Sequence, residues 1–317
     1  MHKKETVLIL GASGFIGQRL KYKLSSENYN LALTYNNSKL DAPRCVVIQK
    51  DLSSDSMINE FLKIKPDIVI NCTGLNPSVL QPKDDHLFYQ FNRNATTNLA
   101  HDFLMYSNSI ENHEPKKFIN LSTYEIYGNI KDISGFNELS GTNPLNAYAD
   151  SKAQAIKEIE ELCKEKLRFI NVICTNNFGP GQSNDKLIPI VYNKLINNQK
   201  IIINGDGSSQ RTWTYVDDTC KGIIQILKHG NHSRYHLSSH NHVSVIGVIK
   251  SIHTLLKSKQ IISTDSAQLD WQEADCNPVF KIDSSWSEKQ LNWNAKTSFI
   301  EGLDRTIEYL RTQRNEK

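Results

Sequence analysis

The chain has 317 residues, 38% of them hydrophobic and 22% charged, and carries a net charge of +3. That suits a globular protein with one large core or two modest ones, and the lack of a clustered basic block argues against nucleic acid as the main partner. Six scattered cysteines form no C-x-x-C pair and no apolar run approaches a membrane span, so reduced thiols, a cytoplasmic location and no membrane partner are expected.

Residues 6–10, Thr-Val-Leu-Ile-Leu, read as a buried parallel strand. Gly11, Gly14 and Gly17 then punctuate a turn into a helix expected over about 14–26. Gly11 suits the tight turn, Gly14 the approach of a pyrophosphate, and Gly17 close packing of helix on strand. Phosphates would meet the free N–H groups of Ser13, Phe15 and Ile16 at the helix start. The spacing is G-x-x-G-x-x-G, a variant of the usual fingerprint, and a purely structural glycine turn is the competing reading.

A second strand is expected at Leu31–Tyr35. A dinucleotide fold that prefers NAD places an acid near its tip to hold the ribose 2′-hydroxyl. Here the tip reads Asn36-Asn37-Ser38-Lys39, which suits a 2′-phosphate better, although Lys39 reads equally well as a solvated loop lysine. The third strand, Cys45–Gln49, ends at Lys50-Asp51-Leu52. Asp51, with Leu52 beside it, could accept from an adenine amino group or cap a helix over Ser53–Leu62. The fourth strand, Asp67–Asn71, runs into Cys72-Thr73-Gly74, where a ligand of an open α/β sheet should lie. A helical stretch from Asp84 to Ser107 and a fifth strand at Lys117–Leu121 continue the alternation of a doubly wound sheet.

Candidate chemistry follows. The fifth strand ends in Ser122-Thr123-Tyr124-Glu125, and Tyr148 and Lys152 stand at i and i+4 on a helix running to about Lys166. An ammonium beside a phenol favours the phenolate, and a hydroxyl of Ser122 or Thr123 could hold a substrate oxygen. A sixth strand is expected at Phe169–Cys174, followed by Asn176 through Gly181, then Lys186-Leu187-Ile188-Pro189 and Gly205 through Trp213. An amide, Lys186 and Arg211 after glycine turns make a cationic cradle for a pyrophosphate. Asp217-Asp218 reads as a helix cap, and the histidines between His229 and His242 are too irregularly spaced for a metal. Helices are expected at Val245–Lys257 and Phe299–Arg311, and Trp286, Trp293 and Phe299 as packing.

Together these motifs resemble the extended short-chain dehydrogenase/reductases acting on nucleotide sugars, over almost the whole chain. The resemblance implies a Rossmann-type doubly wound α/β sheet over residues 1–175 and a smaller substrate lobe over 176–317, with parts of 201–240 returning to the first domain. It implies a cofactor site from Gly11, Gly14, Asp51, Thr73, Gly74, Asn92, Ser122, Tyr148 and Lys152, and catalysis by Thr123, Tyr148 and Lys152. It also implies a nucleoside diphosphate sugar held by Asn176, Lys186, Leu187 and Arg211, and a homodimer built on the helices at 84–107 and 147–166. In 4,6-dehydratases of the family an Asp and a Glu follow the Thr; here Tyr124 takes the place of that Asp. The run Asp275-Cys276-Asn277-Pro278-Val279-Phe280 also lacks their arginine-bearing segment. With no acid at the second strand, the expectation is an NADPH-dependent reductase of an NDP-4-keto-6-deoxy sugar, with Glu125 a sugar ligand or relict acid/base. The alternatives are a dehydratase or epimerase retaining NAD, supported by Glu125, and a non-catalytic binding protein.

Overall fold

The strands of the main sheet are short runs of Val, Ile, Leu and Phe, the composition that suits burial on both faces of a parallel sheet. In the computed structural model, which describes residues 4–38, 40–77, 84–110, 116–129, 134–163, 167–273 and 279–315, the first half of the chain alternates strand and helix. The order is β1 (Thr6–Leu10), α1 (Phe15–Leu24), β2 (Asn30–Tyr35), β3 (Val46–Gln49), α2 (Ile58–Ile64) and β4 (Ile68–Asn71). Next come α3 (Asp85–Phe88), a π-helical turn (Tyr89–Asn94), α4 (Ala95–Asn108), β5 (Lys117–Thr123), a 3-10 turn (Tyr124–Tyr127), α5 (Ala147–Cys163) and β6 (Arg168–Cys174). The second half contains β7 (Asn176–Phe178), α6 (Leu187–Ile196), β8 (Ile201–Asn204), β9 (Gln210–Tyr215), α7 (Val216–His229) and β10 (Arg234–Leu237). It closes with β11 (His242–Ser244), α8 (Val245–Ser258), β12 (Leu269–Gln272), α9 (Ser285–Leu291) and α10 (Phe299–Asn315).

The seven-stranded sheet is parallel throughout, in the order β3-β2-β1-β4-β5-β6-β10. Its winding reverses between β1 and β4, which opens a crevice at the carboxyl ends of the strands. One face is sealed by Leu20 and Leu24 of α1 and Ile223 and Leu227 of α7. The other is sealed by Phe61, Leu99, Phe103 and Ile159 of α2, α4 and α5. A separate core joins α6, α8 and α10 to β8 and β9, with Phe178, Trp213, Phe299 and Leu303 inside it. Trp293 and Phe299 are buried, as expected of packing residues, whereas Trp286 is partly exposed and stacks on Tyr235.

Several elements differ from their sequence-based bounds for physical reasons. Asp51 caps no helix: its carboxylate takes the N–H and hydroxyl of Ser53 at 3.0 and 2.7 Å, a local turn that delays α2 to Ile58. The helical stretch from Asp84 is interrupted by the π-helical turn, on which Asn92 is fully buried. Asp217 and Asp218 lie inside the first turn of α7 rather than before it. Asp217 ties α7 to α1 through Arg19 at 2.6 Å and Lys23 at 3.0 Å, and Asp218 accepts from the N–H of Thr297 at 2.8 Å. Lys39, Lys164–Lys166 and Asp275–Pro278 lie outside the described residues. Among the described residues no cluster of His, Cys, Asp or Glu could hold a metal, and no helix is long and apolar enough to cross a membrane.

Candidate active site

The glycine turn forms one wall of the crevice. Gly11 has φ +71°, and a Cβ there would sit 2.9 Å from Thr73 Cγ2 and 3.3 Å from the backbone of Cys72. Its N–H donates to Thr34 Oγ1 at 3.0 Å, which pins the turn to β2. A Cβ on Gly17 would collide with the Gly11 carbonyl oxygen, so α1 packs directly on the turn. The N-terminus of this ten-residue helix begins at Gly14, with no side-chain cap and no acid in its first turn. Unfilled donors at the positive end of a helix, beside a turn with no room for a side chain, fit a pyrophosphate. Ser13 uses its carbonyl to accept from Gln18 at 2.6 Å, and Phe15 and Ile16 pack on the core beneath.

The turn after β4 forms the opposite wall. Thr73 gives its N–H and hydroxyl to Asn71 Oδ1 at 3.1 and 2.6 Å, and its carbonyl accepts from Lys152 Nζ at 3.3 Å. Gly74 has φ +142°, and a Cβ there would stand 2.6 Å from Lys152 Nζ and 2.8 Å from Asn92 Oδ1. Asn92 takes the N–H of Leu75 at 2.8 Å and gives its amide to the Leu75 carbonyl at 3.1 Å. The π-helical turn therefore serves to carry this amide to the turn. Burial pulls the Lys152 ammonium down to about 8.

Thr123, Glu125 and Tyr148 meet at the end of β5. Thr123 Oγ1 accepts from the Glu125 N–H at 3.3 Å and faces the Tyr148 phenol. Burial first, then the charge of Glu125, hold that phenol above its ordinary range against the opposing effect of Thr123. The expected lowering of Tyr148 is thus outweighed in this pocket, because removing the phenolate from water costs more than its neighbours return. Phe88 packs edge-on against the Tyr148 ring at 5.7 Å. Burial also raises the Glu125 carboxyl, opposed by the Asn146 amide at 3.5 Å and by the charges of Arg211 and Lys186. Ser122 Oγ is buried with no partner among the described residues.

Lys186 and Arg211, from the segments around the second core, come to the same place. Lys186 hydrogen-bonds Asn76 Oδ1, just beyond the Gly74 turn, and lies 3.6 Å from Asp185. Arg211 donates to Ser209 Oγ at 2.8 Å and to the Gln210 carbonyl at 3.0 Å, with its guanidinium 5.4 Å from the Phe280 ring. Leu187 starts α6 and packs on the second core, and Asn176 starts β7 in register with Trp213. Thr123, Glu125, Tyr148, Lys186 and Arg211 are therefore electrostatic neighbours, with Thr73, Gly74, Asn92 and Lys152 alongside. Asn36, Asn37 and Asp51 stand apart, exposed at the tips of β2 and β3, and Leu52 packs beneath α2 and α4. Sequence reasoning missed Asn146 and Asn76, each within two residues of a motif it had singled out. It also missed Phe280, which only the fold brings near Arg211.

A glycine-lined crevice at the switch point, with a Thr-Tyr-Lys set across it, defines a dinucleotide-dependent enzyme of the extended short-chain dehydrogenase/reductase type. The chain belongs to the NAD dependent epimerase/dehydratase family, whose model matches residues 7–238, and to its nucleotide-sugar-modifying branch. It is 28% identical to a probable dTDP-glucose 4,6-dehydratase of Sinorhizobium fredii, over 96% of this chain and 92% of that protein. It is 30% identical to the dTDP-D-glucose 4,6-dehydratase of Dictyostelium discoideum, over 78% of this chain and 61% of that one. A dTDP-glucose 4,6-dehydratase of Streptomyces venezuelae with NAD bound superimposes with a TM-score of 0.86 at 22% identity, covering 98% of both chains. A UDP-glucose 4-epimerase of Thermotoga maritima with UDP-glucose does so with a TM-score of 0.86 at 20% identity, over 98% of this chain and 99% of that one.

These findings overturn the expected 4-ketoreductase activity: the relatives are named dehydratases, and the structural neighbours are dehydratases and epimerases. The expectation rested on what was missing, an acid at the β2 tip and an Asp before Glu125. Thr123, Glu125, Tyr148 and Lys152 are all present. Support for NADPH is absent on the same grounds, since the neighbours hold NAD. The described tip of β2 offers only neutral amides and a hydroxyl, and nearby Lys50 is paired with Glu60 at 2.9 Å. A 2′-phosphate needs a cation there, and Lys39 lies outside the described residues.

Proposed function

We propose that the protein is a nucleotide-sugar 4,6-dehydratase that retains NAD through its cycle. The supporting observation is Glu125: a half-buried carboxylate in the site, next to Thr123 and Tyr148, whose raised affinity for protons suits removal of one from carbon. The glycine turn with Thr73, Gly74 and Lys152 would hold NAD, which would supply a hydride acceptor at C4 and later a hydride donor at C6. Thr123 orients the 4-hydroxyl and Tyr148 takes its proton, with Lys152, one helical turn along α5, holding the dinucleotide ribose. With C4 at the ketone level, the C5 proton becomes acidic; Glu125 would remove it and pass it to the departing 6-hydroxyl, which leaves as water, and a proton from solvent would later return to C5. Arg211 and Lys186 hold the diphosphate, and their charges favour the ionised form of Glu125 that the step needs.

In this reading residues 1–175 carry the dinucleotide and 176–317 the sugar nucleotide, with two copies pairing through α4 and α5; sedimentation checks the last point. An epimerase is the second reading, favoured by Tyr124 standing where dehydratases keep an acid for the leaving hydroxyl. Incubation of NDP-hexoses in deuterated water separates the two. Dehydration gives a 4-keto-6-deoxy product labelled by solvent, whereas epimerisation at C4 gives an unlabelled isomer. Neither product, from any common nucleoside diphosphate hexose, would refute both.

A further inference from the structure

Three adjacent strands of the main sheet share a feature that the reaction does not use directly. β4 ends Ile70-Asn71, β5 contains Ile119-Asn120, and β6 contains Ile170-Asn171, and register sets Asn71 beside Asn120 and Asn120 beside Asn171. Strand alternation puts all three side chains on one face, and all are 0–1% exposed. The amides connect: Asn71 Nδ2 donates to Asn120 Oδ1 at 3.0 Å, and Asn120 Nδ2 to Asn171 Oδ1 at 3.3 Å. At one end Asn171 Nδ2 donates to Glu160 Oε1 at 3.3 Å, and Glu160 lies 3.6 Å from Arg234, which β10 places in register with Asn171. At the other end, Asn71 Oδ1 receives both the N–H and the hydroxyl of Thr73, whose carbonyl accepts from Lys152.

We propose that Asn71, held by Asn120 and behind it Asn171, is a positioning residue that fixes the Thr73 turn and so gives the buried Lys152 ammonium its acceptor. An apolar residue would pack against α4 and α5 without needing any partner, so three consecutive buried amides demand a reason. An Asn amide has one acceptor and two donor positions in a fixed plane. Once Asn120 takes a donor of Asn71, the orientation of Asn71 is set and its oxygen must face Thr73. Lys152 depends on that orientation, since Thr73 O is the hydrogen-bond acceptor the structure gives it and Cys72, on the same turn, is the titratable group facing it. Tyr148 lies one helical turn before it on α5 and titrates above it.

The proposal deepens the reading of the same site, but its readout needs neither cofactor nor substrate, so the two can fail separately. The test is NMR titration of 13C-labelled lysine side chains in the whole protein, with Lys152 assigned by its loss in Lys152→Met. Asn71→Leu is expected to lower the titration of Lys152 by at least about half a pH unit, because the ammonium loses its acceptor. Asn120→Leu should lower it less, and Asn171→Leu should leave it in place while reducing thermal stability as much as the others. Should Asn71→Leu not fold, Asn71→Ser, too short to span Asn120 and Thr73, serves instead. A Lys152 titration that is unchanged or raised in the Asn71 variant would overturn the proposal, as would an equal shift in all three variants, since either marks the ladder as structural only.

Discussion

The two ends of the dinucleotide crevice are built on opposite principles. At β4, β5 and α5 the functional groups are buried or half-buried and cross-bonded: Lys152 to Thr73, Thr73 to Asn71, Asn92 to Leu75, Glu125 to Thr123. At β2 and β3 the groups that would meet the adenosine are exposed and bonded locally, as in Asp51 to Ser53 or Gln49 to the Asn36 carbonyl at 3.1 Å. A buried polar group is costly unless paired, so the catalytic end tolerates few sequences. An exposed strand tip can be neutral, acidic or basic at little cost to the fold, so its composition says less about chemistry.

Breaking the buried end should have the largest effect. In the proposed reaction Tyr148→Phe removes the group that would move the 4-hydroxyl proton, and turnover is expected to fall about 10²–10⁴-fold while NAD binding, followed by protein fluorescence, persists. In the wild-type enzyme burial raises this phenol, so with Tyr148 as the base the rate of C4 oxidation should climb as pH rises from neutral. A flat profile would remove Tyr148 from that role.

Glu125→Gln should cut dehydration by at least about 10²-fold, measured as product release, yet leave hydride transfer from C4 detectable as NADH absorbance in a single turnover. The same change should stabilise the protein. The folded state holds the Glu125 pKa above its unfolded value, so the wild type loses stability as pH rises through that raised pKa. Glu125→Gln should therefore melt higher than wild type at neutral pH and show no advantage below the ordinary carboxylate range. A lower melting temperature at neutral pH would contradict the burial argument.

Lys152 gives a smaller effect of opposite slope. Its pKa is about 8 when folded against 10.5 in the reference state, so between those values the unfolded chain binds more protons and stability rises with pH. Lys152→Met should flatten that rise in thermal melts recorded from pH 8 to 10.5. An unchanged slope would mean that Lys152 is not the group responsible. The smallest effect belongs to the exposed end. Asn36→Asp should favour NAD over NADP by several-fold in binding titrations through repulsion of a 2′-phosphate, with no loss of stability. A loss of NAD affinity instead would place the adenosine ribose elsewhere.

The same contrast explains what could be read from the chain. β1, β2, β4 and β5 were evident as apolar runs, and Gly11, Gly17 and Gly74 because their backbone leaves no room for a side chain. Thr123, Tyr148 and Lys152 were legible because strand end and helix spacing bring them together. Residues whose role depends on distant partners were not legible: Asn146 on Glu125, Asn76 on Lys186, Phe280 under Arg211. Asn92 was found by resemblance, but its π-helical setting has no local signature. The error over the reaction came from weighing two absences, an acid at the exposed β2 tip and an Asp before Glu125, above the half-buried Glu125 that is present.

The most direct test is to incubate purified wild-type protein, with no cofactor added, with nucleoside diphosphate hexoses such as dTDP-glucose and to assay for a 4-keto-6-deoxy product. The account predicts that product, formed with loss of water and absent in Glu125→Gln. An absence of elimination from every parent sugar, while the protein consumes added NADPH on a 4-keto-6-deoxy sugar, would contradict it.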